Sequence, residues 1–225
     1  MEIRKNINFY QAETSRYRAS LIAVSKTHSI EKIMEAYEAG QRIFGENKVQ
    51  ELTGKYEVLP KDIQWHMIGH LQTNKVKFIV PFVALIHAVD SEKLLAEIDK
   101  QAGKAGRIIP CLLQVHIAEE ETKFGFNDEE LLDVLQKKSG AYTHVKISGL
   151  MAMATFTENQ EQIRREFKHV KNLFEKVKRM NLPLEMKELS IGMSADYKIA
   201  LEEGSTMVRI GSALFGGRAS QVSVN

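Results

Sequence analysis

The sequence predicts an α/β fold, a single (β/α)8 TIM barrel with an extra N-terminal helix. Short apolar runs alternate with longer segments whose apolar residues recur at helical spacing, and there are eight such runs. No linker, low-complexity block or short repeat divides the 225 residues, so we expect one domain over residues 1–225. Eight strands alternating with helices satisfy the smallest barrel of this kind, and an open doubly wound sheet is the alternative arrangement.

The elements follow from these patterns in chain order. Met1 to Ser20 precedes the first apolar run and is predicted to form the extra helix. Each apolar run ends at a polar or glycine-containing turn, which indicates a strand that leads into a helix. The predicted strands are Leu21 to Ser25, Arg42 to Phe44, Trp65 to Ile68, Leu85 to Val89, Ile109 to Val115, Val145 to Leu150, Glu188 to Ser190 and Met207 to Ile210. The clearest predicted helices are Ile30 to Ala39, Glu92 to Ala105 and Gln160 to Arg179.

The composition excludes several classes of protein. Lys and Arg number 31 against 29 Asp and Glu, and a net charge of +2 is too small for a polybasic protein that binds nucleic acid or a membrane surface. The longest apolar stretch, Phe78 to Val89, is interrupted by Pro81 and His87 and is shorter than a membrane-spanning helix. Cys111 is the only cysteine, so no intrachain disulfide can form, and we expect a cytoplasmic protein. No added dimerising domain is evident, which favours a monomer.

Two strand ends near the C-terminus have the features of a phosphate site. In a parallel barrel the functional residues lie at the C-terminal ends of the strands, and phosphate sites often use the loops after strands seven and eight. Here strand seven runs into Gly192-Met193-Ser194 and strand eight into Gly211-Ser212. A glycine lets the backbone approach an anion, the serine offers a hydroxyl donor, and a helix N-terminus beyond it supplies free N–H groups. Either tail alone is explained by a turn and a helix cap, but the pair predicts a phosphate site.

Lys26 follows the first predicted strand and should emerge into the mouth of the barrel. A partly desolvated lysine amine can condense with an aldehyde to form a Schiff base. Taken alone, a lysine at a strand end is usually solvated and without such a role. Together with a phosphate site across the same mouth, it indicates either pyridoxal 5′-phosphate or a phosphorylated aldehyde substrate, as in a Schiff-base aldolase.

Two other groups of residues are weaker candidates. His66 and His70 are four residues apart, but they span a strand end and no carboxylate or cysteine partner is evident, so we do not expect a zinc site. Ser25, Thr27 and His28 place hydroxyls beside an imidazole. Neighbours on an extended chain point to opposite sides, however, and no acid is evident to orient the ring, so we do not predict a hydrolase.

Six ordered motifs, each at a predicted strand end, carry a resemblance to a known family. They are AVSKTH (Ala23 to His28), FGENKVQE (Phe44 to Glu51), WHMIGHLQTNK (Trp65 to Lys75), SGLMAM (Ser148 to Met153), LSIGMSADY (Leu189 to Tyr197) and GSTMVRIGSALFG (Gly204 to Gly216). They closely resemble the pyridoxal-phosphate homeostasis proteins, the YggS/PROSC-type family, over nearly the whole chain. The resemblance implies a single barrel similar to the N-terminal domain of alanine racemase.

The resemblance also implies which residues hold the cofactor. Pyridoxal phosphate is expected as a covalent aldimine on Lys26, and Arg209 is expected to approach the pyridine nitrogen. Phosphate contacts are implied for Met193, Ser194, Gly211 and Ser212. Positions near the cofactor are implied for Asn47, His66 and Met151. One departure is His116, at the end of strand five, where the family more often carries asparagine. This departure leaves the hydrogen bonding in that corner of the mouth open.

The function implied by the resemblance is to bind pyridoxal phosphate, to buffer or deliver it, and so to maintain intracellular vitamin B6 and amino-acid homeostasis. Amino acids and apo-enzymes that use the cofactor are the implied partners. The alternative is a pyridoxal-phosphate enzyme of the amino-acid racemase type, which needs an acid or base on the face opposite the lysine. No such base is evident in the sequence, so we expect a carrier without efficient racemase activity, without catalytic residues and without a metal.

Overall fold

Eight parallel strands form the frame of the protein. The computed structural model describes residues 2–119, 124–138 and 140–216. The strands are β1 (Ser20–Val24), β2 (Ile43–Glu46), β3 (Gln64–Met67), β4 (Leu85–Val89), β5 (Ile109–Val115), β6 (Val145–Ala152), β7 (Glu188–Met193) and β8 (Met207–Ile210). They pair in chain order, and β8 returns to β1 to close the barrel. The predicted barrel is therefore confirmed, and the open doubly wound sheet is excluded.

Helices alternate with the strands. Those in the described ranges are α1 (Glu2–Arg16), α2 (Ile30–Glu38), α3 (Val49–Val58), α4 (Val76–Ile79), α5 (Glu92–Lys104), α6 (Asp128–Lys138), α7 (Gln160–Arg179), α8 (Tyr197–Glu202) and α9 (Ser212–Phe215), with a 3₁₀ turn at Thr73–Lys75. Their apolar faces pack with the outward-facing strand residues in one large cluster. No helix in these ranges is both long enough and apolar enough to cross a membrane.

Successive residues of each strand face opposite sides of the barrel wall. In β8, Val208 and Ile210 belong to the outer cluster under the helices, while Met207 belongs to a smaller cluster inside the barrel. The same alternation turns Arg209 inward. The inner cluster is Ile22, Leu85, Ala88, Leu112, Met151 and Met207. It fills the barrel below the strand ends, and the site lies above it.

The N-terminal helix covers one side of the barrel. Ile3 and Ile7 of α1 are buried, and Asn6 Nδ2 donates to the carbonyl of Leu214 in α9 at 3.2 Å. The helix ends at Arg16, four residues earlier than the predicted segment, because Arg18 adopts a φ of +56° and turns the chain into β1. The extra helix is confirmed, with this shorter extent.

Three strands, β2, β6 and β7, extend further towards the mouth than the sequence predicts, and β2 ends at Glu46 instead of Phe44. β6 continues to Ala152 because its pairing with β5 reaches the Val115–Ala152 pair. Gly149 permits close contact with β7, since a Cβ at this position would lie 1.7 Å from the Glu188 carbonyl oxygen. β7 itself continues to Met193. The later ends of β6 and β7 decide which of their side chains reach the site.

Candidate functional site

A cavity of about 510 Å³ opens at the C-terminal ends of the strands. Its volume lies within the range usual for sites that bind small molecules. The lining residues are Val24, Lys26, Thr27, His28, Asn47, Ile68, Met153, Phe156, Met193, Ser194, Ala195, Arg209, Gly211, Ser212 and Gly216. Of the nine residues that the sequence assigns to the cofactor, all but His66 and Met151 are in this set.

Lys26 enters the cavity from the loop after β1. It stands two residues beyond Val24, which also lines the cavity, so the alternation of the strand carries both side chains to the same side. The side chain is half-buried, and it is the one lysine among the described lining residues. Within the described part of the chain, no hydrogen bond or ion pair engages its amine. The amine is therefore available to a ligand.

The tails of β7 and β8 meet at the edge of the cavity. The Gly211 amide donates weakly to Ser194 Oγ over 3.4 Å. Gly192 has a φ of +93°, and a Cβ there would lie 2.4 Å from Ala200 Cβ, so only glycine lets the β7 tail take this path. The exposed Ser212 hydroxyl has no hydrogen-bond partner in the described ranges. These groups form a set of neutral donors suited to a phosphate.

The helices that follow the two tails contribute less than the sequence suggests. α8 begins at Tyr197, three residues after Ser194, and its first turn is preceded by Asp196. The Asp196 carboxylate accepts the Met193 amide hydrogen at 2.5 Å, so that amide is already bonded. α9 begins at Ser212 but has only four residues. The donors at this edge of the cavity are therefore mainly Ser194, Gly211 and Ser212.

Arg209 lies at the base of the cavity and is only 4% exposed. Its guanidinium donates to the carbonyl and hydroxyl oxygens of Ser190 at 2.7 and 2.6 Å and to the Ala152 carbonyl at 3.0 Å. Burial lowers the pKa of Arg209 to about 10, with Asp196 opposing that change, so the group stays protonated at neutral pH. Three hydrogen bonds fix its orientation, and it can only donate to a ligand.

His66 and Met151 lie one layer deeper in the barrel. Each stands two residues before a lining residue that lies just past the end of its strand, Ile68 after β3 and Met153 after β6, and two strand residues span about 6.6 Å. Met151 is fully buried in the inner apolar cluster. Because β6 runs to Ala152, its alternation continues to the next residue. Met153, two positions after Met151, is therefore the methionine at the mouth of the cavity.

His66 does not line the cavity, but a chain of hydrogen bonds connects it to Arg209, which does. Its Nδ1 lies 2.9 Å from His87 Nε2, and His87 Nδ1 lies 2.9 Å from Ser190 Oγ, which bonds Arg209. Because Arg209 only donates, the Ser190 hydroxyl hydrogen is available to His87. Burial lowers the pKa of His66 to about 3 and that of His87 well below its usual value, so both rings are neutral at pH 7. The chain supports Arg209 from below.

The two weaker candidates from the sequence, the His66 and His70 pair and the Ser25, Thr27 and His28 group, do not form sites of their own. His70 contacts the Asp90 carboxylate at 2.8 Å, so the expectation that it has no carboxylate partner is wrong. No group of three or more potential metal ligands occurs in the described ranges. An acid does lie near Ser25, since its hydroxyl donates to Glu46 Oε1 at 2.6 Å, but the His28 ring packs on Phe215 instead. Ser25, His28 and Glu46 therefore do not form a Ser-His-acid arrangement.

Two further positions concern the rim of the cavity. Phe156, 94% exposed in the loop after β6, lines the cavity, and no local pattern in the sequence singles it out. His116 follows β5, and its amide donates to the Phe126 carbonyl at 2.9 Å. It is not among the described lining residues. The departure at His116 therefore lies outside the described lining of the cavity.

Comparison with known proteins agrees with this geometry. Residues 1–219 match the family described as alanine racemase, N-terminal domain. A pyridoxal phosphate homeostasis protein of Aquifex aeolicus is 42% identical over 205 residues, which cover 89% of this chain and 87% of that protein. The structure of PipY from Synechococcus elongatus with PLP bound has a TM-score of 0.87 and 35% identity, covering 95% of this chain and 100% of that chain. Alanine racemase from Streptomyces lavendulae shares the fold, with a TM-score of 0.79 and 16% identity over 96% of this chain and 56% of that one.

Proposed function

This chain belongs to the family of pyridoxal phosphate homeostasis proteins, and from that membership we propose that it binds pyridoxal 5′-phosphate (PLP) and buffers or delivers it. The observation that carries the proposal is the placement of Lys26 in one cavity with the tails of β7 and β8. A single lysine and a set of phosphate donors are the two features that PLP requires. A relative at 35% identity, PipY, has been solved with PLP bound.

The residues at the edge of the cavity suit a phosphate. Ser194 and Ser212 offer hydroxyl donors, and the Gly211 amide has only a weak partner at 3.4 Å. These donors are neutral, so in this proposal the phosphate is held by hydrogen bonds to hydroxyl and amide groups. A hydrogen bond to a charged group is stronger than one between neutral partners, which makes such a set effective.

Lys26 is proposed as the covalent attachment point. When bound, PLP supplies an aldehyde that amines capture reversibly and a ring that withdraws electrons. The Lys26 amine would hold the cofactor by condensing with that aldehyde, with loss of one water molecule. A free amine is needed for this reaction, and the described structure shows no partner that competes for Lys26 Nζ.

Arg209 is proposed to donate to the pyridine nitrogen. Its remaining N–H groups are the ones available to a ligand, because Ser190 and Ala152 accept the others. A guanidinium that stays protonated does not transfer its proton, so the ring nitrogen would remain unprotonated. This weakens electron withdrawal by the ring, so efficient racemisation would depend on a second base opposite Lys26.

The lining residues also favour a carrier over a racemase. The titratable side chains among them are Lys26, His28 and Arg209. His28 lies two residues from Lys26 on the same loop and packs on Phe215, with ring centroids 4.8 Å apart. Burial, with the charges of Lys32 and Lys55 nearby, lowers the pKa of His28. None of the three is a clear base opposite Lys26, which is the group that a racemase requires.

Amino acids and apo-enzymes are the proposed recipients of the cofactor. A free amine can replace Lys26 on the aldehyde and so release PLP from the protein. The single, buried cysteine fits a reducing compartment, and we place this exchange in the cytoplasm.

The test is the visible spectrum of the purified protein with PLP, before and after borohydride. Borohydride delivers hydride to the C=N bond, so it should fix the mass of the cofactor on the peptide that contains Lys26. Lys26→Arg keeps the positive charge but should lose the absorbance and the fixed mass. Lys48→Ala, which removes an exposed lysine outside the cavity lining, is the control and should retain both. A wild-type protein that is colourless after incubation with saturating PLP and removal of the unbound cofactor would refute the proposed function.

A further inference from the structure

The loop that carries Lys26 contains a strained residue. Thr27 has a φ of +65°, in the left-handed region that β-branched residues rarely adopt. The His28 amide donates back to the Ser25 carbonyl at 3.1 Å and closes a tight turn around Lys26. Such a conformation persists only where the surroundings hold it.

Three side chains behind the barrel wall hold this turn from both ends. The Thr27 amide donates to Glu51 Oε1 at 2.5 Å. On the other side of Lys26, the Ser25 carbonyl accepts from Lys55 Nζ at 2.8 Å, and the Ser25 hydroxyl donates to Glu46 Oε1 at 2.6 Å. The two residues that flank Lys26 are therefore both anchored.

Lys55 joins these anchors into one unit. Its ammonium donates to Glu46 Oε1 at 2.7 Å and to Glu51 Oε1 at 2.6 Å as well as to Ser25, so all three of its donors are used. The Lys55 side chain is 7% exposed and that of Glu46 is 0% exposed. Burial raises the pKa of Glu46, and its Oε2 atom is buried without a partner.

We propose that Glu46, Glu51 and Lys55 form a clamp that presents Lys26 to the aldehyde of PLP, with Glu51 and Lys55 as positioning residues that act through Thr27 and Ser25. This inference rests on the proposed function. The clamp ties α3 to the loop after β1 and keeps the strained turn in place before any ligand binds. Its effect is confined to the covalent step, because the phosphate donors lie on the tails of β7 and β8.

The test compares PLP with pyridoxine 5′-phosphate, which has the same ring and phosphate but no aldehyde. Glu51→Ala removes the acceptor of the Thr27 amide and should lower the affinity for PLP about tenfold. The affinity for pyridoxine 5′-phosphate should stay within about twofold of wild type. Glu51→Met, which is closer in length, should behave in the same way if the alanine variant does not fold. Glu51→Gln keeps an acceptor oxygen and should recover most of the PLP affinity.

A second substitution tests whether Glu51 acts through Thr27. Glycine adopts positive φ values without strain, so Thr27→Gly in the Glu51→Ala background should restore part of the lost PLP affinity. Glu57→Ala removes an exposed carboxylate from the same helix and is the matched control, with no expected effect on either ligand.

The outcomes separate the two proposals. A folded wild-type protein that binds neither ligand refutes the proposed function. If the wild-type protein binds both ligands but the Glu51→Ala protein has unchanged PLP affinity, the clamp is refuted and the proposed function is not. Equal weakening of both ligands refutes a role in the covalent step, and no recovery in the double variant refutes the action through Thr27.

Discussion

Ser194 Oγ lies 3.4 Å from the amide nitrogen of Gly211, and this contact joins the tails of two strands that are adjacent in the barrel. The residues are 17 positions apart in the chain. A weak bond of this length is readily exchanged for a stronger acceptor. The Gly211 amide and the Ser194 hydroxyl are therefore positioned to exchange their mutual contact for hydrogen bonds to a phosphate oxygen.

The first prediction concerns this edge of the cavity. Ser194→Ala and Ser212→Ala should each weaken PLP binding by about 1.5 to 3 kcal/mol, or roughly ten- to hundredfold, because each removes a donor to a charged group. Titration with pyridoxal, which has no phosphate, is the control, and its weaker binding should be unaffected by either substitution. Equal affinity of the wild-type protein for PLP and pyridoxal would rule out a phosphate anchor.

The second prediction concerns catalysis. Arg209, held by Ser190 and Ala152, should leave the ring nitrogen unprotonated, and no clear base faces Lys26 among the described lining residues. Incubation of the PLP-loaded protein with L-alanine in deuterated water should therefore give α-deuterium incorporation far slower than that of a racemase. The reaction is followed by NMR, and an authentic alanine racemase serves as the positive control. Incorporation at a comparable rate would favour the enzyme instead.

The third prediction is a pH dependence of stability that arises from His66 and His87. Burial holds the pKa of His66 at about 3 in the folded protein, against a usual value of 6.5, and it also lowers the pKa of His87 well below its usual range. Between about pH 3 and pH 6.5, these histidines therefore bind protons in the unfolded chain but not in the folded one. The contribution of these residues to stability is complete above about pH 6.5 and is lost as the pH falls towards 3.

The expected slope is up to about 1.4 kcal/mol of unfolding free energy per pH unit for each histidine. Urea unfolding at several pH values between 6.5 and 4.5 measures it. His66→Asn keeps a polar partner for His87 but removes one titrating ring, so its slope should be shallower than that of wild type. Identical slopes would show that His66 does not titrate in this way.

Much of the fold follows from local patterns in the sequence. The eight apolar runs, the turns that end them and the helical stripes between them identify every strand of the barrel, because burial imposes a period of two or 3.6 residues on each segment separately. The same rule identifies the positions just after the strands, including Lys26 and the tails of β7 and β8. The assignment of these residues to PLP remains a prediction.

Other features depend on contacts between distant segments, and only the tertiary structure decides them. The extension of β6 to Ala152, set by pairing with β5, brings Met153 and not Met151 to the cavity. The hydrogen bond between His87 and Ser190 joins residues 103 positions apart.

The clamp around Lys26 belongs to the same class. Lys55 bonds the Ser25 carbonyl 30 positions away and Glu46 nine positions away, and of its three partners only Glu51, four positions earlier on α3, stands at helical spacing. Periodicity reports which face of an element is buried, whereas barrel closure decides which buried polar groups meet. The sequence by itself therefore determined the barrel and the level of the site, and the tertiary structure decided which side chains reach the cavity and what holds them.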